Sequence, residues 1–166
     1  MRVLGIDCGS QYTGYGVVEQ AGRELVCCVA GAIKLRPRDS MATKLQQIFS
    51  ELTAIIATQQ PETVAIEEVF YAVNVKSALK LGQVRGVAML AASSCGLQVA
   101  EYAPLAIKSA VVGYGRAEKQ QVQQMVMRLL KLPEAPEPTD AADALAIAIC
   151  HIHTASTLSR YEAAHS

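Results

Sequence analysis

Three apolar segments of this 166-residue chain carry carboxylates at one end, and that pattern constrains the fold more than any other feature. Asp7 closes the run VLGI. Glu67 closes TVAI, just ahead of a second glutamate, and Asp140 and Asp143 open the stretch ALAIAI. A buried, unpaired charge costs several kcal/mol, so core-forming segments carry such groups inward only where something compensates them. A fold that brings the three ends together would create an oxygen-rich site for divalent cations. Mg²⁺ prefers oxygen ligands, and a pair of such ions can activate water and stabilise a leaving oxygen on phosphate.

Taken singly, each acid has an ordinary explanation. Asp7 precedes a Gly-Ser turn and could close an Asx-turn on its own backbone. Strand alternation sends Glu67 and Glu68 to opposite faces, so only one of them can serve a given site. Asp140 and Asp143 are three apart at a helix start, where acids are favoured by the helix dipole and by capping. The four together raise the metal-site reading above these local ones.

The periodicity predicts an α/β domain. Residues 2–7, 13–19 and 24–34 read as three strands of an antiparallel meander, with turns at Gly9-Ser10 and Ala21-Gly22. From residue 40 to 59, Met41, Leu45, Ile48, Leu52, Ile55 and Ile56 recur at helical spacing, and Pro61 follows. Residues 63–70 read as a central strand, 75–95 as a long Ala-rich helix and 97–102 as a fifth strand. Further helices are expected over 104–112, 118–132 and 140–153, the last apolar nearly all round and so packed on the sheet. The expected architecture is a five-stranded mixed sheet flanked by helices, with a single domain over residues 1–154 and a polar, frayed tail over 155–166.

Composition narrows the function classes. No charge-free apolar run reaches the ~20 residues that span a bilayer, and no secretory leader is visible, so a cytoplasmic protein with no membrane role is expected. The five cysteines show no CxxC pair or zinc spacing and read as reduced thiols. Formal net charge is zero, yet residues 71–132 hold eight basic residues against two acidic ones. Lys76, Lys80, Arg85, Lys108, Arg116 and Lys119 in that segment are candidate contacts for a polyanion held against the metals, although any one of them could simply solvate a helix face.

The blocks GIDCGSQYTGYGV, AIEEVF, SALKLGQVRGVA, KSAVVGYGRAEKQQV and TDAADALAIAI resemble those of the RuvC family of Holliday-junction resolvases, in the same order and over nearly the whole chain. The resemblance implies an RNase H-like three-layer fold, a homodimer, and Mg²⁺-dependent nicking of two opposed strands of a four-way DNA junction that leaves 5′-phosphate and 3′-OH ends. It implies that Asp7, Glu67, Asp140 and Asp143 form the acidic quartet of the site; two Mg²⁺ are expected there, with Mn²⁺ able to substitute and Asp7 as the bridging ligand. It further implies that Phe70 stacks on junction bases, that Lys108 and Lys119 contact DNA or the active site, and that a branch-migration motor of the RuvA–RuvB type is a partner. A C₂ dimer suits the near-twofold symmetry of a junction, and the Ala-rich helix over 75–95 is the candidate interface. Two departures stand out: Cys8, where the family motif is expected to carry proline and where a thiol would lie near the metals, and a short tail that is not strongly basic.

Three other readings are weighed from sequence, one of them a catalytically silent junction-binding module, against which the intact acidic quartet argues. An RNase H-like RNase or pre-resolvase would use the same acids. A domain of the sugar-kinase and Hsp70 type is suggested by Asp-x-Gly-Ser followed by TGYG, which resembles a phosphate-binding hairpin, although that architecture needs two such domains.

Overall fold

A computed structural model describes residues 1–68 and 74–165. Its sheet is built from β1 (Arg2–Asp7), β2 (Tyr12–Ala21), β3 (Glu24–Lys34), β4 (Thr63–Glu67) and β5 (Gln98–Tyr102). The strand order is β3-β2-β1-β4-β5. β1 pairs antiparallel with β2 and β2 with β3, whereas β4 lies parallel to β1 and β5 parallel to β4. The expected mixed sheet is therefore present, with β1 in the centre and β4 beside it. This adjacency places Asp7 and Glu67 at the same end of neighbouring strands.

Among the described residues five helices cover the two faces: α1 (Met41–Gln59), α2 (Val75–Ser94), α3 (Pro104–Val112), α4 (Lys119–Leu129) and α5 (Thr139–His165). Local chemistry explains their starts. The Ser40 hydroxyl accepts from the Thr43 N–H at 3.2 Å, and Asn74 Oδ1 accepts from the Ser77 N–H at 2.9 Å, so α1 and α2 have side-chain N-caps. Pro104 stands in the first turn of α3, where its missing N–H is no loss, and Gly113 ends that helix at φ 96°.

The core is split by the sheet into two clusters. On one face Leu4, Ile6, Val17, Val64 and Ile66 pack against Ile48, Leu52 and Ile56 of α1 and Val84, Ala88 and Ala91 of α2. On the other, Val3 and Ala65 pack against Leu145, Ile147, Ile149 and Ile152 of α5, with α3 and α4 outside them. Full burial of each such aliphatic side chain contributes about 1.5–3 kcal/mol, so α5 is the principal core helix of that layer.

Two features of α5 bear on the sequence-based expectation, the first agreeing with it and the second departing from it. Its residues Thr139–Ser159 match a bilayer span in length and hydropathy, but much of that stretch is buried inside the protein as the core helix. The helix also runs on to His165, past residue 154, where fraying was expected. Hydroxyls of Thr154, Thr157 and Ser159 bond back to carbonyls one turn earlier, and Ser156 lies 3.4 Å from the Gln20 side chain of β2, which gives the extension a contact with the sheet.

Candidate active site

Alternation along β1 decides where its acid points. Val3 and Gly5 face α5, Leu4 and Ile6 face α1 and α2, and so Asp7 falls on the α5 side. β4 repeats the pattern, with Ala65 towards α5 and Val64 and Ile66 away, which sends Glu67 rather than Glu68 to the same place.

The approach of α5 depends on glycines. A Cβ on Gly5 would stand 2.0 Å from the Ala144 carbonyl oxygen, and one on Gly14 would stand 2.1 Å from the Asp140 carbonyl oxygen. On Gly16 it would meet the Leu145 side chain at 2.7 Å. No real Cβ tolerates such distances, so a bare backbone on β1 and β2 is what lets the first turns of α5 lie against the sheet. This contact brings Asp140 and Asp143 to Asp7. The TGYG segment is thus a seat for a helix.

The resulting cleft has a volume of about 260 Å³ and is lined by Asp7, Glu67, Asp143, Lys108 and Lys119 over an apolar floor that includes Ile107 and Ile147. Asp140 does not line the cleft but acts on it through its charge, which adds to the larger causes that raise the Asp7 and Lys119 pKa values. A larger cavity of about 1080 Å³ lies elsewhere, between the β2–β3 turn and the end of α5, and contains none of the predicted site residues. The predicted carboxylates and lysines converge in the smaller cleft.

The electrostatics are those of crowded like charges. Burial, then Asp143, Glu67 and Asp140, push the Asp7 carboxyl up to about 7, against a smaller downward pull from Lys119. Burial and Asp143 also raise Glu67, with Lys108 and Lys119 opposing. The Lys119 ammonium lies 2.6 Å from Asp143 Oδ2, and that bond raises its own pKa. Lys119 is the first residue of α4, a start secured by Gln121, whose side-chain oxygen accepts from the Glu118 N–H at 2.8 Å.

Among the described residues no group of three or more His, Cys, Asp or Glu side chains is set to hold a metal ion as it stands. The donor chemistry nonetheless fits a hard divalent cation. The ligands offered are all carboxylate oxygens, they are held in like-charge repulsion, and one already has a cation, Lys119, bound to it.

The other predicted residues fall in different places. Phe70 lies outside the described residues. Lys76 is exposed in the first turn of α2, and Arg116 is exposed between α3 and α4. Lys80 lines a separate cleft. Arg85 is turned inward: its Nε donates to the Glu67 carbonyl oxygen at 3.3 Å, and Nη2 pairs with Glu101. Cys8 packs with the α1 and α2 core, on the opposite side of the strand from Asp7, and burial pushes its thiol up to about 12. The thiol expected near the metals therefore faces away from the acids. The apolar floor of the cleft went unrecognised in the sequence, because Ile107 and Ile147 read there as ordinary core positions.

The family of crossover junction endodeoxyribonuclease RuvC matches residues 3–151. The chain belongs to the RuvC family. A RuvC of Koribacter versatilis is 67% identical over 164 residues, covering 98% of this chain and 99% of its own. One from Acidobacterium capsulatum is 56% identical and covers 95% and 96%. Among solved structures, Thermus thermophilus RuvC in complex with a Holliday junction substrate superposes with a TM-score of 0.89 at 35% identity, covering 93% of this chain and 94% of that one. A yeast mitochondrial Holliday junction resolvase, 13% identical, shares the fold at a TM-score of 0.72. The RNase H-like architecture expected of a RuvC chain is thus the one observed.

Proposed function

We propose that this RuvC chain resolves four-way DNA junctions by cutting two opposed strands, with the acidic cleft as the site of hydrolysis. The observation that carries this reading is the convergence of Asp7, Glu67 and Asp143 with Lys108 and Lys119 in one cleft of a RuvC fold. Membership of a family of crossover junction endodeoxyribonucleases supports the choice of substrate over the RNase and sugar-kinase readings.

Asp7, Glu67, Asp143 and Asp140 would hold Mg²⁺, with Mn²⁺ able to replace it. When bound, the metal lowers the pKa of water and neutralises charge developing on phosphate. The remaining work falls to the chain's own side chains. Lys108 and Lys119 orient the scissile phosphate and stabilise its added negative charge. Lys119 must leave Asp143 to do so. Water attacks phosphorus in line, the bond to the 3′ oxygen breaks, and the products are a 5′-phosphate and a 3′-OH. Asp140, whose charge acts on Asp7, would take up the water proton.

A homodimer supplies the second site. On α2, Val75, Leu79 and Leu90 are 77%, 64% and 56% exposed, and Gly82 and Gly86 have open space where a Cβ would stand. A helix with an unsheathed apolar and small-residue face suits close packing on a second copy. The protein would act in the cytoplasm, with a branch-migration motor of the RuvA–RuvB type delivering the junction.

The test is a substrate panel: a mobile four-way junction, a linear duplex of matching sequence and an RNA–DNA hybrid, each with Mg²⁺ or EDTA. Paired nicks in the junction alone, lost with EDTA, are expected. Cutting of the hybrid alone would move the protein to the RNase side of the fold.

A further inference from the structure

A second cleft, of about 570 Å³, opens at the same end of the sheet as the acids, at the β3 edge beside the N-terminal turns of α1 and α2. Ser10, Tyr12, Lys34, Asp39, Lys44 and Lys80 line it. Its three lysines come from three separate elements: the end of β3, the first turn of α1, and α2. Among the described residues none of the three pairs with a carboxylate, and Asp39 is the one acid in the lining. Lys44 makes only a marginal 3.4 Å bond to the Pro37 carbonyl. Arg36 and Arg38, exposed in the adjoining loop, add the same sign. Lysines from distant parts of a chain gather without counter-charges where an anion is to be held.

The register ties this cleft to the acids. Asp7 pairs with Gly14, Gly14 with Ala32, and Tyr12 with Lys34, so Lys34 stands just beyond the level of Asp7 and two strands to the side. Two strand spacings are about 10 Å, or roughly three nucleotide steps of ~3.4 Å along a DNA axis. The turn that forms one wall, Ser10–Tyr12, leaves directly from Asp7-Cys8-Gly9. Lys108 and Lys119 flank the acids from α3 and α4, on the other side of the sheet end.

We infer that Lys34, Lys44 and Lys80 form a backbone-phosphate site that holds the DNA strand a few nucleotides from the bond cut at the acids. The inference rests on the junction-cutting reading and adds to it Lys34 and Lys44, which lie outside the basic middle segment. The site reads phosphate charge and not bases, so it contributes affinity and alignment without sequence preference.

The experiment measures junction affinity of the full-length protein against salt concentration for wild type, Lys34→Gln/Lys44→Gln, and Arg23→Gln. Arg23 lies on the β2–β3 turn at the opposite end of the sheet. The double variant is expected to flatten the log–log salt slope by about 0.9 per lost contact, or about 1.8 for each protomer engaged. Arg23→Gln keeps both the wild-type slope and the wild-type cutting rate at saturating protein. An unchanged slope in the double variant, or an equal flattening by Arg23→Gln, would overturn the site. Loss of cutting at saturation with an unchanged slope would overturn it as well. Failure of the junction reading is seen separately, as a wild-type protein that neither binds nor cuts the junction.

Discussion

The Lys119 ammonium lies 2.6 Å from Asp143 Oδ2, so in the metal-free protein a lysine already neutralises one of the acids that would hold the metal. On the proposed function, Lys119 would compete with the metal before DNA binds and hold phosphate afterwards. Replacement by methionine is expected to lower the cutting rate by on the order of 10²–10³, the range for loss of one transition-state charge donor. Junction affinity should change little, and Mg²⁺ should bind more tightly to the DNA-free protein. Lys119→Arg should recover part of the rate. Single-turnover cutting with calorimetry of Mg²⁺ binding checks all three, and an unchanged rate in the methionine variant would remove Lys119 from the chemistry.

Asp7 has the clearest pH signature. Its carboxyl is raised to about 7 in the fold, so the folded protein holds this proton more tightly than the unfolded chain does. In the absence of metal, stability is therefore expected to fall as pH rises from about 4 to about 7, the opposite of a salt-bridged aspartate. Asp7→Asn should raise the melting temperature of the metal-free protein at pH 8 and lose that advantage towards pH 4. Cutting by the wild type should decline below pH 7, where protons compete with the metal for the carboxylate. Thermal melts of both proteins across this range, with EDTA, give the test; a melting difference independent of pH would mean that Asp7 is not crowded by its neighbours.

Gly14 predicts a mutation that acts on the site through the helix. Alanine there would put Cβ 2.1 Å from the Asp140 carbonyl oxygen, and backbone has to move. Overpacking of this kind costs about 1–3 kcal/mol, occasionally more. Gly14→Ala should lose stability in urea and should also lose cutting at temperatures where it remains folded, because α5 carries Asp140 and Asp143 away from Asp7. Full activity in a folded Gly14→Ala protein would contradict the seat that these glycines provide.

Arg85 separates two roles. The sequence suggests a DNA contact, whereas the side chain is bonded to the Glu67 carbonyl oxygen and paired with Glu101. As a positioning residue for Glu67, Arg85→Met should raise the Mg²⁺ concentration needed for half-maximal cutting by about tenfold, consistent with the loss typical of outer-shell changes at metal sites. The salt slope of junction binding should not move. A slope reduced by about one unit, with an unchanged Mg²⁺ requirement, would return Arg85 to the DNA-contacting set.

Much of this was legible in the sequence, for identifiable reasons. The acids at Asp7 and Glu67 and the start of α5 are marked by sharp changes from apolar to acidic residues, and the helices by period and caps, although the fourth strand was expected over residues 63–70 and β4 ends at Glu67. What was not legible depends on contacts between distant segments. Gly14 looks like a residue of a small-residue strand until Asp140 is placed against it, 126 positions along the chain. Lys34 and Lys44 were hidden because their segment is acidic when averaged with its neighbours, and only the fold sets them beside Lys80. The direction of Arg85 could not be read either, since an arginine on a helix reads the same whether it faces DNA or the end of a strand. The continuation of α5 beyond residue 154 brings Ser156 to the Gln20 side chain, a contact that polarity alone does not reveal.

The central claim is that Asp7, Glu67 and Asp143 with Asp140 hold the metal that cuts a junction bound elsewhere on the protein. Its most direct test compares wild type with Asp7→Asn on a labelled four-way junction, recording binding and paired nicking over a Mg²⁺ titration. The account predicts that both proteins bind the junction with similar affinity, that wild type nicks two opposed strands in proportion to bound Mg²⁺, and that Asp7→Asn nicks neither. Nicking by Asp7→Asn at a rate near that of wild type would contradict the account.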